Sequence, residues 1–149
     1  MTRLTRAAAA ALLGLAAWSA QAQFSGAPAP VPATAMAPSA AQTDIEYRKD
    51  AARHIYASYP SRVHKGKLPP LLYGVAIVET EIDAAGAVVD VRIRRPPAAA
   101  EISPWIVSMI KGAGPFPAPA KLGKVSFVEI WLVEKGGKFQ LDTLTEGQR

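Results

Sequence analysis

Two histidines, His54 and His64, offer the widest range of chemistry in a chain that has no cysteine. A metal site on a helix would place a second ligand four residues further on, and that position from His54 is Ser58. Neither histidine has a partner at ligand spacing, so both are expected as surface side chains. Glu79 and Glu81 lie two residues apart on one face of an apolar run, where paired carboxylates could do acid–base work. Arg92 and Arg94 on the next run give a plainer account, exposed opposite-charge pairs across a hairpin. No Gly-x-Ser-x-Gly elbow surrounds a serine, and no histidine and acid are arranged around one. Gly112-Ala113-Gly114 follows a helical run and does not open one, so it is not a phosphate loop. Without cysteine there are no disulfides, thiol nucleophiles or cysteine metal sites. The chain therefore reads as non-enzymatic, with no catalytic residue, metal or cofactor assigned. A small-ligand carrier or enzyme of unknown type, resting on His54, His64, Glu79 and Glu81, is one alternative.

The elements that must position these residues fit within 149 residues, enough for one domain with a real core. Arg3 and Arg6 precede the apolar run Ala7–Trp18, and Ser19-Ala20-Gln21-Ala22 supplies small residues in an Ala-x-Ala pattern. That is the three-part signature of a secretory signal, residues 1–22, cleaved between Ala22 and Gln23. The alternative is an uncleaved inner-membrane anchor, but a span needs about 20 strongly apolar residues, and this run is short and mostly alanine. Loss of Arg3 and Arg6 lowers the net charge from +5 to +3, a mildly basic balance that gives no support to nucleic-acid binding.

Residues 23–42 carry Pro28, Pro30, Pro32 and Pro38 among alanines, with no charge, and are expected as a disordered linker of extended, polyproline character. The domain proper, residues 43–149, opens on a capping box, Thr43-Asp44-Ile45-Glu46. A helix is expected from Asp44 to Ser58, with Ile45, Arg48, Ala51, Ala52, Ile55 and Tyr59 as its stripe, stopped by Pro60. A basic connection with Arg62, His64, Lys65 and Lys67 follows; it is a solvated loop or a surface attracted to anionic lipid or an acidic partner. Two strands, about Tyr73–Ile82 and Val88–Arg94, join through Asp83-Ala84-Ala85-Gly86, with Gly86 at the positive-φ position of a bulged hairpin. Val89, Val91 and Ile93 are expected on the buried face, and Asp90, Arg92 and Arg94 on the charged one. Ser103 as cap and Pro104 at the first turn start a second helix, whose stripe is Trp105, Ile106, Met109 and Ile110. A third strand, Val125–Glu134, places Phe127 and Trp131 on one face and Val128, Ile130 and Leu132 on the other. Gly136-Gly137 turns the chain towards Lys138–Asp142, a candidate fourth strand. The fold class is α+β: a small antiparallel sheet of three strands, four with the candidate, two helices on one face, in the order α-β-β-α-β(-β).

With these marks in order, the stretch from about Tyr47 to Leu144 resembles the C-terminal domain of the TonB family. The marks are Tyr59-Pro60 after the first helix, Asp83 to Gly86 with Val88-Val89-Asp90-Val91, and Phe116-Pro117 with Pro119 before a last apolar strand. The resemblance implies a periplasmic, soluble protein-binding module linked to envelope transport, recognising a protein partner by strand addition. It implies a partner in the cell envelope, an outer-membrane transporter or an inner-membrane motor complex, and no nucleic acid. The partner-binding surface carried over is the backbone edge of Val125–Val133, with Val125, Phe127, Val128, Ile130, Trp131 and Leu132; Tyr59, Pro60, Gly86, Phe116 and Pro117 are structural. An anchored energy transducer is the alternative, and a homodimer by strand exchange a further expectation. A strand at Lys138–Asp142 would cover part of this edge.

Overall fold

The structure, a computed structural model, describes residues 23–32 and 36–148. The expected leader, residues 1–22, lies outside the described residues. Helix α1 spans Asp44–Ser58 and begins on the capping residues: Thr43 Oγ1 accepts from Glu46 N–H at 3.2 Å, while Glu46 Oε2 reaches back one residue past the cap and accepts from Gln42 N–H at 2.7 Å. Strands β1 (Gly74–Ile82) and β2 (Val88–Arg95) form the hairpin, helix α2 spans Ile102–Ala113, and β3 (Val125–Val133) precedes β4 (Phe139–Leu141) and a 3-10 turn, Asp142–Leu144. All four strands are antiparallel, in the order β2-β1-β3-β4. The fold is α+β, in the order α-β-β-α-β-β, and the fourth strand exists.

The core is the inner face of the sheet closed by the two helices. Ala76, Val78 and Ile82 of β1 and Val125, Phe127, Trp131 and Val133 of β3 meet Tyr47, Ala51 and Ile55 of α1 and Trp105, Ile106, Met109 and Ile110 of α2. Period-two alternation on the strands and a helical stripe on α2 therefore meet as their spacing dictates. The hairpin tip is latched from both sides. Asp83 Oδ1 accepts from the N–H groups of Ala85 and Ala87, and Phe116 N–H donates to Gly86 O at 2.8 Å. Gly86 has φ +88°, and a Cβ there would run into the Phe116 carbonyl, so only glycine fits. Tyr59 Oη donates to Met109 O and Tyr47 Oη to Pro117 O, tying α1 to α2 and to the connector. Burial raises the pKa of both phenols.

Several expectations are corrected. The described part of segment 23–42 is no free spacer: Phe24 is only 5% exposed, stacked on Tyr73 and edge-on to Trp105, and Val31 N–H donates to Ser58 O. The Phe24 ring removes a large apolar area from water, and Ser39, which donates to Asp50 and Ala118 O, and buried Ala41 hold the segment further along. Ile45 is 76% exposed, since the buried face of α1 runs through Tyr47, Ala51, His54, Ile55 and Ser58. His54 is on that face, 1% exposed, with Nε2 2.6 Å from Ala113 O and Nδ1 2.7 Å from Met36 Sδ. His64 is half-buried and 2.9 Å from Glu134. Helix α2 starts one residue before Ser103, with Glu101 at the cap position and no side-chain cap; Pro104 fits the first turn, where its missing N–H is not needed. In β2 the register shifts at Val89 and again near Arg95, so Val88 faces the core and Val89 is exposed.

Candidate functional site

The sheet has two outer edges, and the backbone ladder shows which amides each one presents. In β3, Val133 O accepts from Tyr73 N–H, while Glu134 N–H donates to Lys138 O. Odd residues of β3 therefore address β1, and even residues address the outer side. Among the described residues β4 pairs only with Trp131, Leu132 and Val133. Ser126 and Val128 thus point their N–H and C=O groups outward with no strand beside them, along a stretch whose pairing to β1 is regular throughout. Val125, Ser126, Phe127 and Val128 carry no charge, and Val128 is 43% exposed.

The open stretch ends at Glu129. This carboxylate lies on the core face at the strand's edge, 2% exposed, and every contact it makes is a hydrogen bond from a donor. Arg48 donates to it twice, at 2.7 and 3.2 Å, while the N–H groups of Ile130 and Thr143 donate at 3.0 and 3.3 Å. The outward amide of Ile130 is thereby taken before any partner arrives. Glu129 in turn raises the pKa of the Arg48 guanidinium, and Asp142 adds a second contact at 3.4 Å. Breaking this bidentate pair costs much on the Glu129 side, because the buried carboxylate left without Arg48 is stranded out of water, whereas Arg48 is 28% exposed.

The opposite edge, β2, is built otherwise. Its outward residues are Val91 and Ile93, since Asp83 N–H donates to Ala87 O and odd residues of β1 address β2. Val91 N–H is taken by Asp90 Oδ1 at 2.8 Å. Register shifts flank the strand, and Arg92, Arg94 and Arg95 crowd it. Arg94 Nε is 2.8 Å from Glu79, and Arg92 lies 2.8 Å from Asp90 and 3.5 and 3.7 Å from Glu79 and Glu81. Those carboxylates are thus hairpin salt bridges, as their cross-strand spacing suggests. Bulges, charge and a capped amide are the usual ways to stop an edge from pairing.

The sequence-assigned residues divide accordingly. Val125, Phe127 and Trp131 point into the core, while Val128, Ile130 and Leu132 lie on the helix-free face, so the six form one strand and not one side-chain surface. Trp131 and Leu132 lie under β4 and are closed to an incoming strand. Gly86 meets Phe116, while Tyr59 donates to Met109 and Pro117 accepts from Tyr47; Pro60 follows the C-cap Tyr59 at the surface. Gln23 is described and exposed; Ala22 is not among the described residues. Glu129 and its partner Arg48 are the functional residues that sequence reasoning missed. The available signal was a carboxylate at a core-facing position between Phe127 and Trp131.

Among the described residues no group of three or more histidine, aspartate or glutamate side chains could hold a metal ion, and no helix is long and apolar enough to cross a membrane. Comparison with protein-family models, curated proteins and solved structures returned no match.

Proposed function

We propose that this chain is a periplasmic, TonB-like protein-binding module that accepts an extended segment of an envelope partner as an added strand beside β3. The observation that carries the reading is the stretch Val125–Val128: straight, uncharged, and presenting the outward amides of Ser126 and Val128 beside no strand. Natural sheets seldom leave such an edge unguarded, and this one guards its other edge with bulges, arginines and a capped amide. Main-chain pairing supplies affinity in strand addition, and side chains flanking the edge select the sequence. Val128 on the helix-free face and Ile45 on α1 flank this one; Ile45 precedes Arg48 by three residues, on the side of the helix that faces Glu129. The leader-like residues 1–22 and the order of the family marks support an envelope location, with an outer-membrane transporter or an inner-membrane motor complex as partner class.

A photo-crosslinking amino acid placed at Ser126 or at Ile93, in the full chain expressed in intact cells, tests this. The expected result is a discrete crosslinked protein from Ser126 that is absent when Val128 is also replaced by proline. Equal labelling from both edges, or labelling from Ile93 alone, would refute the reading.

A further inference from the structure

The strap and the basic loop converge on one corner of the molecule. Gln23 and the Arg62 guanidinium both lie against Gly137, which has φ +74°; a Cβ there would stand 2.9 Å from Arg62 Nη1 and 3.6 Å from the Gln23 carbonyl oxygen. The loop that carries Arg62, Lys65 and Lys67 is fixed against β4. Phe139 N–H donates to Arg62 O, His64 N–H donates to Phe139 O, and the buried Gln140 side chain donates to the carbonyls of His64 and Gly66. The turn after β3 adds Lys135 and Lys138, both exposed. Among the described residues these five cations have no ion-pair partner, whereas the acids of this corner are engaged: Glu134 with His64 and Glu146 with Gly66 N–H.

From this corner we infer that the surface formed by Arg62, Lys65, Lys67, Lys135 and Lys138 docks on an anionic phospholipid bilayer. Two independent observations name that occupant. The first is charge: five cations without an ion-pair partner among the described residues, carried on a backbone held by β4, are complementary to lipid phosphates. The second is where the chain leads. In the anchored alternative, where residues 1–22 are retained, the apolar run Ala7–Trp18 ends five residues before Gln23, so a bilayer that holds it stands within about 17 Å of Gln23. Phe24, buried between Tyr73 and Trp105, fixes that exit point beside Gly137. The docked strap thus brings the domain to the bilayer surface, with its basic corner foremost, where a free linker would hold it away. The inference does not depend on strand addition at β3.

Vesicle co-sedimentation of the full chain tests it, with phosphatidylglycerol-containing and pure phosphatidylcholine vesicles compared at low and high salt. The apolar leader contributes in both lipids; the corner contributes only to the difference between them. One variant replaces Lys65, Lys67, Lys135 and Lys138 by glutamate. A control of equal net charge replaces Lys49, Lys111, Lys121 and Lys124. Each basic residue at an anionic surface is worth roughly fivefold in partitioning. The corner variant is therefore expected to lose at least about tenfold of its binding to anionic vesicles, and the control less than about threefold. The difference should vanish at high salt. Lys→Gln versions of both sets, with matched near-ultraviolet dichroism, separate charge from misfolding. Equal losses in the two sets, or no preference for anionic lipid in the unaltered chain, would overturn the inference; in the latter case an acidic protein surface becomes the occupant.

Discussion

The two edges of the sheet use one device in two settings. At β2, Asp90 takes the outward amide of the next residue, Val91; at β3, Glu129 takes that of Ile130. Asp90 is half-buried and shared with Arg92, within a strand also guarded by register shifts and arginines. Glu129 is buried, held by two bonds from Arg48, and stands at the end of an unguarded stretch. One carboxylate helps to blunt a whole edge. The other marks where an otherwise open edge stops, so that a strand added there would have a defined length and register. Edge chemistry is thus spent unevenly, and the uneven side is the one with room for a partner.

The sharpest way to break this comparison is to remove each carboxylate. Glu129→Ala leaves Arg48 and two amides without their acceptor and is expected to lower unfolding free energy by about 2–4 kcal/mol. Asp90→Ala is expected to change it by no more than about 0.5 kcal/mol. Urea denaturation of both variants decides the point, and similar losses would dissolve the distinction. Glu129→Ala should also lengthen the open edge and raise self-association, read by light scattering. Proline substitution probes the amides themselves. Val128→Pro removes an outward N–H that has no strand beside it among the described residues, so it should leave the fold intact yet weaken partner capture at least about tenfold. Ile93→Pro on β2 should leave capture unchanged. The smallest effect concerns alkali. Burial raises the phenol pKa of Tyr47, Tyr56 and Tyr59, so each contributes stability that is complete below the unfolded value of about 10 and is lost as pH rises beyond it. Tyr47 packs on Phe127 of β3, and the hairpin β1–β2 contains no tyrosine. Above about pH 10, amide protection should therefore fall first on the β3 side.

What was legible in the sequence is what neighbours along the chain decide. The cap at Thr43, the glycine of the hairpin turn and the alternation of β3 are local patterns, and each appears where its spacing places it. The fourth strand was visible as apolar residues after a Gly-Gly turn, but which β3 residues it covers depends on the hairpin's length. Three features depend on partners far away in the chain. Glu129 needs Arg48, which lies 81 residues earlier, and alone it looks like a stray charge in an apolar run. Phe24 needs Tyr73 and Trp105; its own neighbourhood has the composition of a linker. His54 becomes a core residue only because the buried face of α1 runs through it, towards Ala113 and Phe116. At Val89 the fault was different: a bulge inserts one residue there, so Val88 takes the core position and Val89 leaves it, while Val91 and Ile93 beyond the bulge still pack against the core.

Amide hydrogen exchange of the full chain, alone and bound to the partner captured through Ser126, tests the open-edge account most directly. In the free chain Ser126 and Val128 should exchange at least about a hundredfold faster than Phe127 and Trp131, with Ile130 slowed by its bond to Glu129. In the complex Ser126 and Val128 should become protected, while Ile93 stays as it was. Protection of Val128 equal to that of Phe127 in the free chain, or protection gained at Ile93 and not at Val128 on binding, would contradict it.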